Sequence, residues 1–312
     1  MSASSTFGKN IKVTIFGESH GSLVGCVIDG LPVGTELDKE YIMKEMRRRQ
    51  GGGEFSTPRK EEDTPSIMSG IFEGRTTGAP LTAVFENKNT KSKDYKDLKY
   101  RMRPGHADYP AFIKYKGKND YRGGGRFSGR LTAAVVFAGA VIKSILKLEN
   151  ITIGSHIKNI EGIEDIGFDK TSDSDVSLIN LSNSSFPVID DMAGALMQEA
   201  IMKAKEDGDS VGGVVECMAM GVPVGVGEPF FYSIESVLSH LLFSVPGVKG
   251  VEFGEGFDIS RMRGSTANDP YYYDIKGNIR TKSNHNGGVL GGISNGMPIV
   301  FSVAIKPTSS IS

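Results

Sequence analysis

The chain has 312 residues, 38% of them hydrophobic and 23% charged, with a formal net charge of -1, a balance that suits a water-exposed folded protein and argues against nucleic acid as the main partner. Its 40 glycines, close to twice the usual share of ~7%, follow no triplet repeat and exclude a collagen-like rod. Cys26 and Cys217, the only cysteines, lie in apolar surroundings and read as buried thiols rather than a metal site.

In chain order, residues 11–16 alternate apolar and polar and predict a strand ending in Gly17. Residues 23–28 predict a second strand, stopped by Asp29-Gly30. Asp38 predicts the N-cap of a helix running to about Arg49, with Gly51 to Gly53 halting it. Arg47, Arg48 and Arg49 then fall in the last turn, where positive charge suits the helix dipole. Residues 67–72 and 81–85 predict short strands, and 111–118 a helix. Residues 130–148 give the strongest helical pattern: Leu131, Val135, Ala138, Ile142, Ile145 and Leu148 recur at helical spacing, and Ala133, Ala134, Gly139 and Ala140 permit close packing.

A strand is expected at 151–160, a polar, serine-rich loop at 169–185, and a helix from Asp190 or Asp191 to Lys205. Strands follow at 212–220, 248–253 and 300–305, with a helix at 235–243 and a polar connection at 264–286. The recurrence of strand, glycine turn and helix predicts an α+β fold with helices against sheets. A rough likeness between the two halves points to a pseudo-symmetric core. Length alone allows two domains or one large one, and residues 1–312 are taken as a single domain. The polar start, residues 1–10, has no secretory pattern, and no apolar run reaches the ~18 residues of a membrane span. A reducing, aqueous compartment, the cytoplasm, is expected.

Four glycine-bearing islands and one Lys-Pro-Thr-Ser-Ser segment carry polar groups that a buried core would not hold. They are Gly17-Glu18-Ser19-His20-Gly21, Arg103 to Tyr109, Gly123 to Arg130, Gly287 to Gly296, and Lys306-Pro307-Thr308-Ser309-Ser310. Glycine lets the backbone approach a ligand or adopt positive φ, while Arg, Lys, Ser and Thr supply donors. The pattern points to a large anion held by many short loops. Two of the five histidines, His20 and His106, lie in these islands and add proton transfer. Basic stretches at 44–60 and 88–103 read either as solvated surface or as walls of a polyanion pocket.

Read together, the islands resemble the chorismate synthase family of the shikimate pathway. The match runs through Phe16-Gly17-Glu18-Ser19-His20-Gly21, then Arg103-Pro104-Gly105-His106-Ala107-Asp108, then Gly123-Gly124-Gly125-Arg126-Phe127-Ser128-Gly129-Arg130-Leu131-Thr132-Ala133. It closes on Asn284-His285-Asn286-Gly287-Gly288-Val289-Leu290-Gly291-Gly292-Ile293-Ser294-Asn295-Gly296. The resemblance implies a β-α-β sandwich, usually a homotetramer. It also implies a lyase converting 5-enolpyruvylshikimate 3-phosphate to chorismate and phosphate by anti 1,4-elimination, with reduced FMN and no net redox change. A non-catalytic FMN- or phosphate-binding relative is the alternative.

By the same resemblance His20 is a proton donor toward the reduced flavin, and His106 is the acid for the departing phosphate. Arg48, Arg49, Arg59 and Arg130, grouped with Ser19, face the substrate, whose phosphate and two carboxylates suit the arginine fork. For the Arg47–Arg49 run a surface role stays open. Arg126 and Arg130 precede the long helix, whose start is expected to present N–H groups to an anion.

Arg126, Phe127 and Ser128 correspond to an FMN-contacting tripeptide. Gly291, Lys306, Pro307, Thr308, Ser309 and Ser310 match further FMN contacts. His240 and Leu241 stand where the family commonly has Gln-Ala, and are either flavin contacts or ordinary helix residues. Asp29, Asn268 and Asp269 read as polar turn residues. No metal is implied.

NADPH as reductant and a separate flavin reductase are both open; no Gly-x-Gly-x-x-Gly fingerprint is present. The basic loops at 44–60 and 88–103 are expected to close over the site. The family's C-terminal tail, with its Arg-His-Asp motif, is expected to be lacking.

Overall fold

The computed structural model describes residues 5–50, 53, 55, 62–88, 101–172 and 174–311. It divides into two compact units, Met1–Leu148 and Glu149–Ser312.

The first unit contains β1 (Thr6–Phe7), β2 (Lys12–Gly17), β3 (Leu23–Asp29), α1 (Lys39–Arg49), β4 (Ser66–Ser69), β5 (Ile71–Phe72), β6 (Arg75–Thr76), β7 (Leu81–Glu86), α2 (Asp108–Lys114) and α3 (Thr132–Leu148). Its main sheet is antiparallel in the order β1-β2-β3-β7-β4. Cys26 pairs with Ile15 on one side and Ala83 on the other. Val24, Cys26 and Ile28 of β3 and Leu81, Ala83 and Phe85 of β7 point every second side chain into one core, as the pleat requires.

That core is closed by Ala133, Ala134, Phe137, Ala138 and Val141 of α3 and by Ile42 and Met46 of α1. Alanines on α3 let its backbone approach the sheet. Phe137 then meets Phe85 edge-on at 5.9 Å, a favoured aromatic geometry. With its leading turn, α3 forms a 20-residue apolar helix, Gly129–Leu148, long enough to cross a membrane by length and composition, contrary to the sequence expectation. Its fully buried Ala133, Ala134, Phe137 and Val141 make it the core helix of this unit. Burial also pushes the Cys26 thiol up to about 12.

Asp38 caps α1 as expected, accepting the Tyr41 N–H at 2.9 Å. Asp38→Ala is expected to lower stability by about 1 kcal/mol, measured by urea unfolding. Three elements differ from the sequence reading. The strand at 67–72 divides into β4 and β5 at Gly70 (φ +86), where a methyl group would stand 2.5 Å from Leu81 Cα. The helix at 111–118 begins earlier, at Asp108, and ends before Lys116 and Gly117, both of which have positive φ. The helix at 130–148 begins at Thr132, after two 3-10 turns, Arg122–Phe127 and Gly129–Leu131.

The second unit contains β8 (Thr152–Ile160), β9 (Ile163–Glu164), α4 (Val176–Leu181), α5 (Asp191–Glu206), β10 (Gly213–Met220), α6 (Ile234–Leu242), β11 (Val248–Phe253), α7 (Gly264–Ala267), β12 (Tyr271–Tyr273), β13 (Ile279–Thr281), β14 (Val289–Leu290), β15 (Ile293–Ser294) and β16 (Ile299–Ile305). Its sheet is also five-stranded and antiparallel, in the order β11-β16-β10-β8-β9, so each unit repeats the theme of such a sheet with helices against it. Alternation along β10 splits its side chains between two clusters. Met218 and Met220 pack with Phe168, Leu178 and Leu181, while Cys217 and Ala219 meet the cluster of Ile234, Val248, Phe301 and Val303.

The segment 169–185 holds α4, because Leu178 and Leu181 are a buried pair one helical turn apart within the polar stretch. The connection at 264–286 holds α7 and the β12–β13 hairpin. The Asp274 carboxylate shapes that turn by accepting the N–H groups of Lys276 and Asn278, each at 2.8 Å.

Candidate functional site

In the first unit the first and third glycine islands fold onto each other. Gly17, at φ +101, turns the chain sharply out of β2; a methyl group there would stand 2.4 Å from Leu23 O. The next residues close a turn, with Gly21 N–H on Glu18 O at 3.0 Å, and the Ser19 N–H reaches across to Gly125 O at 3.1 Å. Gly123, Gly124 and Gly125 all have positive φ. A methyl group on Gly123 would stand 2.2 Å from His20 Nδ1 and 3.0 Å from Ser19 Oγ. The close approach of backbone to His20 therefore needs glycine.

Ser19 is wholly buried and His20 is 7% exposed. Ser19 Oγ has no hydrogen-bond partner among the described residues. A buried hydroxyl without a protein partner is costly unless a ligand or water completes it, so this cradle is suited to receive a polar group.

The arginines divide. Arg49 donates to Asp63, to Thr132 Oγ1 at 3.2 Å and to Gly129 O at 3.3 Å. Arg130, whose side chain is 2% exposed, shares the same buried carboxylate of Asp63. Arg48 turns to Glu45 at 3.1 Å, and Lys143 takes the same carboxylate at 3.0 Å. Burial pushes the Glu45 pKa up, but Lys143 and Arg48 overcome it and hold the carboxyl below its ordinary value. Arg59 lies outside the described residues, as do 51, 52, 54 and 56–60 of the basic stretch at 44–60 and 89–100 of that at 88–103.

His106 is fixed beside Arg103. Its Nδ1 lies 3.0 Å from Pro104 O, and a carbonyl only accepts, so Nδ1 carries a proton. Arg103 grips Asp108 with Nε at 2.8 Å and Nη2 at 2.9 Å. Burial raises the Asp108 pKa, and the Arg103 hydrogen bonds and charge more than reverse that. Asp120 is held low chiefly by the Arg122 side chain, against burial, with a further pull from the charge of His20.

Arg126 and Phe127 are exposed, Phe127 by 42%, and the Phe127 ring stands 6.3 Å from that of Tyr115. Arg126 Nη2 rests on Ser5 Oγ at 2.9 Å. Ser128 takes the Arg130 N–H on its hydroxyl at 3.3 Å and the Leu131 N–H on its carbonyl at 3.2 Å. Those two N–H groups, expected to face an anion, are thus capped from within.

In the second unit the Lys306–Ser310 segment follows β16. Lys306 Nζ donates to Ser309 Oγ at 2.7 Å, and Ser210 Oγ donates to Thr308 O at 2.7 Å. Pro307, Thr308 and Ser310 are exposed. Gly291, at φ +61, has open space where a side chain would be. His240 and Leu241 are exposed at the end of α6.

Sequence reasoning missed Asp63 and Asn87, which tie the arginines to the Ser19–His20 turn. It also read Asp269 as an ordinary turn residue. Asp269 is buried and accepts from Ser283 Oγ at 2.8 Å, His285 N at 2.8 Å, Asn286 N at 3.1 Å and Asn286 Nδ2 at 2.7 Å. Burial opposes its charge, and these donors together hold its pKa below the usual carboxylate value. A single aspartate organises the entry to the Gly287–Gly296 island.

Comparison with known proteins brings these features together. The chorismate synthase family model matches residues 11–312. The chorismate synthase of Pyrococcus abyssi is 48% identical over 97% of this chain and 83% of its own length. That of Methanocaldococcus jannaschii is 49% identical over 98% of this chain and 83% of its own. A solved structure titled "Crystal Structure of Chorismate Synthase" superposes with a TM-score of 0.79 at 30% identity, covering 96% of this chain and 85% of that one.

Proposed function

The chain belongs to the chorismate synthase family, and from that premise we propose how its residues divide the work. The enzyme is a lyase that converts 5-enolpyruvylshikimate 3-phosphate to chorismate and phosphate. The phosphate leaves with the electrons of its C–O bond. The C6–H bond gives up its hydrogen, and its electrons extend the ring unsaturation, so the elimination needs no net oxidant.

FMN is the cofactor typical of the family, and the residues fit it. Ser19 Oγ is a buried, unspent hydroxyl. Phe127 offers an exposed ring between the donors Arg126 and Ser128. Lys306 with Thr308, Ser309 and Ser310 forms a cation-and-hydroxyl set suited to a phosphate. When bound, reduced FMN supplies transient electron density to the breaking bond.

The protein's own groups do the rest. Arg48, Arg49 and Arg59 are assigned to the phosphate and carboxylates of the substrate and to the charge growing on the leaving group; the Arg49 side chain keeps 20% exposure where that of Arg130 keeps 2%. His106, with Nδ1 held by Pro104 O, gives the departing phosphate a proton from Nε2 when the ring is doubly protonated. His20, locked by Gly123, is the proton-holding group of the cradle. In the second unit, His240, Leu241 and Gly291 are assigned to the cofactor by the family resemblance. A homotetramer, a cytoplasmic location, and NADPH or an external flavin reductase as the source of reduced flavin belong to the same proposal and rest on the family resemblance.

The single observation that carries this division is the packing of Gly123 onto buried Ser19 and His20. His106→Gln is the test. With reduced FMN under anaerobic conditions, kcat for chorismate formation is expected to fall on the order of 10²-fold, with binding of the substrate retained. Unchanged kcat would remove His106 from the chemistry.

A further inference from the structure

Arg130 has the residue type of an anion clamp, and its guanidinium is bound from within the protein. Its side chain is 2% exposed. Nη1 is on Asp63 Oδ1, Nε donates to Asn87 Oδ1 at 2.9 Å, and Nη2 donates to Glu86 O at 3.2 Å. Three edges of the guanidinium are thus turned onto the protein.

Asn87 passes the constraint on. Its Oδ1 faces Arg130, and its Nδ2 donates to Glu18 O and to Gly21 O, each at 2.9 Å. Its backbone N–H meets Ser22 O at 3.1 Å. One amide therefore spans both ends of the turn that contains Ser19 and His20. An Asn amide rotates freely unless its acceptor is held, and Arg130 holds it.

Asp63, itself wholly buried, anchors the far end. Its second oxygen accepts from Arg49, so one carboxylate serves two guanidiniums. A buried ion pair gains its worth from orientation when all its members are satisfied.

We infer that Asp63, Arg130 and Asn87 form a brace that positions the Ser19–His20 turn, with Arg130 and Asn87 as positioning residues that act without touching substrate. The inference rests on reading that turn as part of the active site. It predicts that the catalytic histidine and the Arg49 guanidinium are set by one hydrogen-bonded chain: Arg49, Asp63, Arg130, Asn87, then the carbonyls of Glu18 and Gly21. Loosening any link releases the turn from Gly125 and Gly123. A misplacement of about 1 Å at such a site costs on the order of 10² in rate.

The test uses the full chain labelled with 13C-histidine, without flavin or substrate, in the wild type and in the Asn87→Ala and Arg130→Lys variants. The protein has five histidines, and His20 is assigned through a His20→Gln variant. Both variants are expected to move the His20 resonance and its titration while leaving His156, His240 and His285 of the second unit unchanged. In turnover, kcat is expected to fall on the order of 10²-fold with little change in KM for the substrate.

Asn87→Ala leaves the Asp63–Arg130 pair intact, so it carries the test if Arg130→Lys fails to fold. A His20 resonance unmoved in Asn87→Ala overturns the brace, whatever the activity. A raised KM in Arg130→Lys with His20 unmoved assigns Arg130 to the substrate instead. Because the resonances are read without turnover, a moved His20 in a protein that forms no chorismate would keep the brace and sink the lyase assignment.

Discussion

Replacing Gly123 with alanine is expected to lower kcat by on the order of 10³-fold or more while the protein remains folded. Two effects combine. Gly123 sits at φ +58, where an L-residue costs about 1–2 kcal/mol. Its added methyl would also stand 2.2 Å from His20 Nδ1, well inside any permitted contact, so the imidazole or the loop must move. Moving a positioned proton-transfer group costs ~10²-fold in rate for the displacement alone, and losing its chemistry costs a further ~10²-fold or more. The control is Gly129→Ala. Gly129 lies in the same island, has no positive φ, and offers open space to a methyl group. That variant is expected to keep near-wild-type turnover. Equal activity in the two variants would mean that His20 and its cradle do not govern the reaction. Thermal unfolding of both separates loss of activity from loss of fold.

Glu216→Ala is expected to destabilise the second unit by about 3–5 kcal/mol, the cost of breaking a buried ion pair from one side. Glu216 lies in a cross-strand row with Ser302 on β16 and His156 on β8. Its Oε2 accepts from His156 at 3.1 Å and from the Phe168 N–H at 2.7 Å, and Oε1 accepts from Lys158 at 3.0 Å. The other His156 nitrogen meets Asp165 at 2.8 Å, and Asp165 in turn holds the N–H groups of Ile189 and Asp190 at the start of α5. Both ring nitrogens face carboxylates, which only accept when ionised, so the ring donates on both sides.

Removing Glu216 leaves the buried His156 and the half-buried Lys158 with one counter-charge fewer. Burial alone would push the Glu216 carboxyl up, but His156, the Phe168 amide and Lys158 pull it from its ordinary 4.5 to about 2. A folded-state value below the unfolded one means that the stabilisation is fully present above about 4.5 and is lost as pH falls through about 2. Urea unfolding of the wild type and the variant at neutral pH and in acid tests both statements. The gap between the two proteins is expected to narrow in acid. A gap below about 1 kcal/mol at neutral pH would show the row to be no more than a surface-like pair.

The strands and the long helices were legible because their burial is periodic. The alternating burial of β7 and the alanine-rich stripe of α3 state their partners locally. Asp38 and Asp190 announced their helices because a cap bonds within three residues. What escaped depends on distant partners. The short helix α4 hides two buried leucines in a serine-rich stretch that composition reads as loop. The β12–β13 hairpin lies in a polar stretch, and its turn joins the Asp274 carboxylate to Gly277 at φ +81.

The same division holds for the site. Glycine islands are visible because positive φ selects glycine, and Gly17, Gly123 and Gly125 each have it. Asp63 was invisible. It stands in an acidic run that reads as solvated surface, and its partner Arg130 is 67 residues away along the chain. Asn87 likewise reaches back 66 residues to Gly21. Arg130 was recognised by type, but only its burial reveals that its fork is directed at the protein.

The most direct measurement of the lyase account is the stoichiometry of the anaerobic reaction with 5-enolpyruvylshikimate 3-phosphate and a catalytic amount of reduced FMN. One chorismate and one phosphate are expected for each substrate consumed over many turnovers, with the flavin still reduced at the end. Phosphate released without chorismate, or flavin oxidised in step with product, would contradict it.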